Sequence, residues 1–266
     1  MPIKKDATGK RWVEMQLLVS GTPEQVWQAL ATGPGNTGWF AKTEIDGRVG
    51  GAVRFDFGDG TTSGGEVTDW EPPQRFAYVE RDWDKDAPPI ATEITITARS
   101  GGRCVVRLVH SLFTSSDAWD DQVEGFESGW PGLFEVLRVY LANFAGQECE
   151  CFWAMQQAPL DQLSAWRKLS ELVGLTGASV GERRGGTFGN EPWAGIVEHV
   201  HQDAKQRYFL VRLVEPRPGI VLCGTYGTGE TTRVSVSRYF YGDDAEAQAA
   251  HSEPALRAWL STTFAS

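Results

Sequence analysis

Few residues in this 266-residue chain are spaced for chemistry, and each of them has a plainer explanation. His199 and His201 stand two apart on a stretch that reads as a strand, so both rings would share a face and could bind one metal ion. No third ligand stands at an obvious spacing, and two surface histidines explain the pattern as well. Cys149 and Cys151 have the same spacing, whereas metal thiolates usually come in pairs separated by two residues, so a buried strand face accounts for them. His110, near the end of a strand that leads to a long helix, is of the right type for a general base at neutral pH, but it has no identifiable orienting partner. Arg54 and Glu66 would orient a polar ligand if their strands touched a cavity, and would otherwise face water. Gly181 to Gly189, with Arg183 and Arg184, lacks the lysine and hydroxyl residue of a phosphate loop and reads as a flexible turn. No catalytic residue, metal site or cofactor follows from these patterns.

The elements that would position any site are clearer. From Ser116 to Phe144, Trp119, Val123, Phe126, Trp130, Leu133, Leu137, Leu141 and Phe144 recur every three or four residues, which places them on one face of a long helix that must be buried. Ser116 or Asp117 is suited to cap it. Gly125, Gly129 and Gly132 run beside this bulky stripe, each costing roughly 1 kcal/mol relative to alanine in a helix interior. Either a sheet approaches the backbone there, or the missing side chains leave room for a guest molecule. Pro131 removes a helical amide hydrogen, which predicts a kink or two abutting helices near Gly129 to Gly132.

Ahead of that helix the chain reads as a strand from Arg11 to Val19, a helix capped by Thr22 with Pro23 at its first position, and the aromatic pair Trp39-Phe40. A meander follows from Glu44. Val53, Phe55 and Phe57 alternate with polar residues up to the turn Gly58-Asp59-Gly60, and further strands cover Gly65 to Trp70, Arg75 to Trp83, Ile90 to Ala98 and Arg103 to His110. Alternation puts Phe76, Tyr78, Ile94, Ile96, Val106 and Leu108 on the face toward the long helix. These blocks resemble, in order and spacing, the Activator of Hsp90 ATPase homologue-1-like (AHSA1-like) family of the START/Bet v 1-like superfamily. The matching blocks are Thr22 to Trp27, Trp39-Phe40, Arg48 to Gly51, Gly65 to Val67, Glu71 to Pro73 with Phe76 and Tyr78, Thr92 to Thr95, Arg103 to His110, and Gly129-Trp130 with Leu133 and Leu137. The resemblance covers Arg11 to Phe144, and Pro131 departs from it. It implies an α+β helix-grip fold, an antiparallel sheet wrapped around a long C-terminal helix, with a cavity between the two. The candidate ligand-binding residues are Trp39, Phe55, Val67, Phe76, Tyr78, Ile94, Val106, Leu108, His110, Phe126, Gly129, Trp130 and Leu133.

The second half restarts the same order with a strand from Cys149 to Gln157 and a helix striped by Leu160, Leu163, Trp166, Leu169, Leu172 and Val173. Gly195 to Glu198 echoes Gly65 to Thr68, and Arg207-Tyr208-Phe209 echoes Arg75-Phe76-Ala77, at an offset of about 130 residues. Two further strands and a helix holding Leu256, Trp259, Leu260 and Phe264 end the chain. The expectation is a START/Bet v 1-like AHSA1-type domain over 1–146 and a shorter, diverged START-like α+β copy over 147–266. The glycine pair and the long aromatic helix have no evident counterpart in this half, so a different α+β domain stays open.

With 25 basic and 35 acidic residues, a formal charge of -10 argues against nucleic acid as a partner. No run approaches the roughly 18 apolar residues of a membrane helix, and the amino end lacks a signal core, so a cytoplasmic protein with reduced thiols is expected. Three functions remain in view: a non-catalytic module holding a small hydrophobic molecule, a protein-interaction module modulating an Hsp90-type chaperone ATPase as the family name implies, and a cyclase- or dehydrase-like enzyme. The glycine stripe favours the first.

Overall fold

The computed structural model describes residues 4–5, 11–58, 60–81, 87–112, 120–227 and 232–265, with residues 5 and 120–128 described by their backbone alone. The chain divides into two compact units, 1–146 and 147–266. Each is α+β, with one antiparallel sheet and a C-terminal helix.

In the first unit the order is β1 (Lys4–Lys5), β2 (Arg11–Ser20), α1 (Pro23–Ala31), α2 (Gly33–Thr37), β3 (Lys42–Ile45), β4 (Ala52–Asp56), β5 (Thr62–Glu71), β6 (Arg75–Glu80), β7 (Ile90–Arg99), β8 (Arg103–Leu112) and α3 (Asp120–Asn143). The sheet runs β1-β2-β8-β7-β6-β5-β4-β3. Local chemistry sets the start of α1: the Thr22 hydroxyl accepts from the Gln25 amide, and the Gln25 side chain accepts from the Thr22 amide at 2.9 Å, with Pro23 in the first turn. The turn between β4 and β5 is closed by the Phe57 amide donating to the Thr61 carbonyl and the Thr61 amide to that of Gly58, both at 2.9 Å.

The register aligns Tyr78 with Thr92 and Thr92 with His110, and aligns Glu80 with Ile90 and Ile90 with Leu112. Because side chains alternate across a strand, the residues two apart, Phe76, Tyr78 and Glu80, share one face. That face is the buried one, and α3 lies on the same sheet, packing against β2. The helix is buried around more than the expected stripe: Trp130, Leu137 and Leu141 are joined by Phe134, Val136, Val139 and Tyr140. It also stays a single helix across Pro131, so the two abutting helices expected there do not form. The expected cap at Ser116 or Asp117, and Trp119, lie outside the described residues, as do the side chains of Val123 and Phe126.

The second unit consists of β9 (Cys149–Ala158), α4 (Gln162–Leu172), β10 (Arg183–Phe188), β11 (Glu191–Gln202), β12 (Gln206–Glu215), β13 (Gly219–Tyr226), β14 (Thr232–Tyr241) and α5 (Ala245–Phe264). Its sheet order, β10-β11-β12-β13-β14-β9, repeats that of β4-β5-β6-β7-β8-β2 in the first unit. The correspondence reaches single residues. The ladder of β5 with β6 slips between Val67 and Asp69, and that of β11 with β12 slips between Val197 and His199. Beside the first slip, the Gly50 amide donates to Val67 and the Val67 amide to Gly51; beside the second, Gly181 donates to Val197 and Val197 to Glu182. Gly50 and Gly181 both take positive φ, 79° and 87°. So Gly181 takes the place of Gly50, and the long C-terminal helix is present as α5, with Pro254 inside it as Pro131 is inside α3. Glu182 stands in the place of Gly51, so the glycine pair itself is not reproduced, while the helix expected from Leu256, Trp259, Leu260 and Phe264 is present. Gly181 to Gly189 is not a flexible turn: residues 183–188 form β10.

Candidate functional site: a cavity under the long helix

A cavity of about 320 Å³ opens between the sheet and α3 of the first unit, at the lower end of the roughly 300–1,000 Å³ usual for small-molecule sites. Its apolar wall comes from Phe55 on β4, Phe57 beyond it, Phe40 after α2, Ile90 on β7, and Trp130 and Leu133 on α3. These rings support one another. Phe40 stacks on Trp130 with centroids 5.5 Å apart and meets Phe55 and Phe57 edge-on at 5.5 and 5.7 Å, while Phe55 lies 5.6 Å from Tyr78. Gly129 completes the wall, and a Cβ built on it would meet nothing within 4 Å among the described residues. The glycine at this position of the stripe therefore borders open space and is not there to let a strand come close.

The polar part of the wall is small and ordered. The Ser63 hydroxyl donates to the Glu80 carboxyl, and the Thr92 hydroxyl lies 2.8 Å from His110 Nδ1 on the neighbouring strand. Burial acts on all three titratable groups. It pushes the Glu80 carboxyl above the usual carboxylate range, raises the Tyr78 phenol with help from the nearby Glu80 charge, and lowers His110 to about 4. His110 is thus neutral at pH 7. No Lys or Arg lines the cavity among the described residues.

Six of the residues picked out from the sequence meet here: Phe55, Tyr78, His110, Gly129, Trp130 and Leu133. Six others, Trp39, Val67, Phe76, Ile94, Val106 and Leu108, are buried but do not line the cavity. The reason is α1, which packs over β7 and plugs that end of the grip. Its Trp27 meets Trp70 at 4.9 Å and Phe76 at 6.5 Å, and the Trp39 indole donates to the Ala29 carbonyl at 2.9 Å. The Phe126 side chain is outside the described residues. Sequence reasoning passed over Phe40, Phe57, Thr61, Thr62, Ser63, Glu80 and Ile90. For Phe57 and Glu80 the signal was present, because they continue the alternations of Phe55 and of Phe76 and Tyr78 by two residues.

The remaining chemical candidates fall elsewhere. Arg54 and Glu66 are exposed and line no part of the cavity. His199 and His201 both lie against the Tyr208 ring, at 5.7 and 5.0 Å, and His201 Nε2 is 2.8 Å from an Asp203 carboxylate oxygen. No group of three or more His, Cys, Asp or Glu able to hold a metal occurs among the described residues. All four cysteines are free thiols, and burial pushes Cys149 far above the usual thiol range and Cys223 up to about 12. In the second unit, Ser252 of α5 bridges an ion pair of the sheet between the buried Arg238 on β14 and the half-buried Glu191 on β11.

Residues 20–142 match the family model of the Activator of Hsp90 ATPase homolog 1-like protein. The first unit belongs to this family. Among solved structures the chain is similar to DynU16 from the dynemicin biosynthetic locus, at 18% identity over 93% of this chain and 95% of that one, with a TM-score of 0.43. It is similar to protein MLL2253 from Mesorhizobium loti at 24% identity over 50% and 98% of the two chains, TM-score 0.47, and to CalU16 from Micromonospora echinospora at 18% over 53% and 83%, TM-score 0.42. No curated protein matches the chain. Among the described residues, no helix of the AHSA1-like unit or of its neighbour is long and apolar enough to cross a membrane.

Proposed function

We propose that the AHSA1-like unit holds a small, largely apolar molecule in the cavity under α3 and does no chemistry on it. The observation that carries this reading is Gly129: a helix-interior glycine costs roughly 1 kcal/mol against alanine, and here it stands exposed at the rim of the cavity, with room for a side chain beside the aromatic wall. The polar groups suit positioning better than catalysis. A histidine with its pKa near 4 is a weak base at pH 7, and its Nδ1 is engaged with Thr92.

The test is Gly129→Leu with a naphthalene-based fluorescent probe. The leucine fills the open volume, so probe uptake should fall at least about tenfold. Stability should stay level or rise by up to about 1 kcal/mol, the helix-propensity difference. A wild-type protein that takes up no apolar probe would overturn the reading. So would a Gly129→Leu protein that loses about 1 to 3 kcal/mol, since that is the cost of overpacking a closed contact.

A further inference from the structure

We infer that the cavity selects an organic amine, bound as its ammonium ion with an apolar body. This rests on the proposed binding function and names the ligand's polar group. The observation is Glu80. Its side chain sits in the cavity wall on β6 with the residue only 8% exposed, and among the described residues no Lys or Arg pairs with it. Among the described residues its one hydrogen-bond partner is the Ser63 hydroxyl, a neutral group. A carboxyl buried in this way is costly to ionise, and a cation delivered by a ligand would offset that cost.

The rest of the wall suits a cation. Phe40, Phe55, Phe57, Tyr78 and Trp130 present aromatic rings around the same space, and ring faces attract ammonium groups. Of the two other titratable side chains in the wall, Tyr78 is a phenol that burial keeps protonated, and His110 contributes no positive charge to oppose a cation, because burial keeps it neutral at pH 7. A carboxylate ligand meets the reverse situation: an acidic side chain, no arginine or lysine, and electron-rich ring faces. On binding an ammonium ion, Glu80 stays or becomes ionised, and any proton it held passes to solvent. The charge-assisted hydrogen bond then forms inside a site of low dielectric, where it is stronger than in water.

Calorimetric titration of the full chain with two probes of nearly equal shape, naphthylmethylamine and naphthylmethanol, tests this. The amine should bind wild type about tenfold more tightly than the alcohol, equivalent to about 1.4 kcal/mol. In Glu80→Gln, nearly the same shape without the charge, the two affinities should converge while the alcohol's stays within about twofold of wild type. Equal affinities for both probes in wild type would overturn the inference and leave the apolar site standing, as would a preference that survives in Glu80→Gln. Binding of neither probe would overturn both readings. The wild-type comparison decides the point even if the variant fails to fold.

Discussion

His110 shows how one buried residue ties the site to the stability of its unit. In the unfolded chain it titrates near 6.5, and in the folded unit burial holds it to about 4. Between those values the unfolded chain binds the extra proton, so stability is fully present above about pH 6.5 and falls as pH drops toward 4. The loss should reach roughly 3 kcal/mol, at 1.36 kcal/mol per pKa unit. Glu80, shifted upward, works in the opposite sense, since its contribution is present at low pH and lost as pH rises above the ordinary glutamate range. The two are separated by following unfolding of wild type and His110→Asn from pH 7 to 4.5. Removing the imidazole should flatten the acid-side decline, and an unchanged slope would place the titrating group elsewhere. Trp130 gives a larger effect at the same scale. It is only 8% exposed and stacks on Phe40, so Trp130→Ala should cost about 3 to 5 kcal/mol, read from the denaturation midpoint.

At the scale of elements, glycines with opposite surroundings explain where sequence reasoning succeeded and where it stopped. The periodic stripe announced α3, and strand alternation announced β4 to β8, because both report which side of an element meets the core. Composition alone made residues 181–189 a turn, since glycine lacks the side chain that carries such a pattern. The structure supplies the reason for those glycines. A Cβ on Gly186 would lie 2.3 Å from the Val173 carbonyl oxygen, and one on Gly174 would lie 2.6 Å from that of Gly185, so β10 and the end of α4 touch backbone to backbone. That contact joins residues distant in sequence and leaves no local signature. The cavity lining was half legible for a related reason: alternation says which face is buried, but not that α1 fills one end with Trp27 and leaves the other open. The two kinds of glycine should respond oppositely to alanine. Gly129→Ala should stabilise by up to about 1 kcal/mol, and Gly186→Ala should destabilise by about 1 to 3 kcal/mol, as judged by urea unfolding. Equal responses would mean that their surroundings do not differ as described.

For the whole molecule, the strand order β4-β5-β6-β7-β8-β2 and its repeat in β10 to β14 with β9 describe one plan used twice, down to the bulge at Val67 and at Val197. The interiors diverge. Where the first unit has a cavity beside Glu80 and His110, the second carries the buried Arg238 paired with the half-buried Glu191, with Phe240 under the guanidinium at 4.8 Å. Arg238 is buried but the Glu191 side chain keeps 28% of its exposure, so removing the guanidinium leaves a partly desolvated carboxylate held, among the described residues, only by Ser252, at a cost of about 1 to 3 kcal/mol. Arg238→Met should therefore destabilise the second unit by about that amount. If each unit has its own core, as the split at residue 146 indicates, the loss should stay local. A fragment of residues 1–146 should then fold alone by circular dichroism and bind the naphthalene probe as the full chain does. In full-length Arg238→Met, probe affinity should likewise stay within about twofold of wild type at temperatures where the second unit has begun to melt. An unfolded 1–146 fragment would show that the first core depends on the second. Probe binding lost together with the second unit in Arg238→Met would place that dependence at the cavity itself.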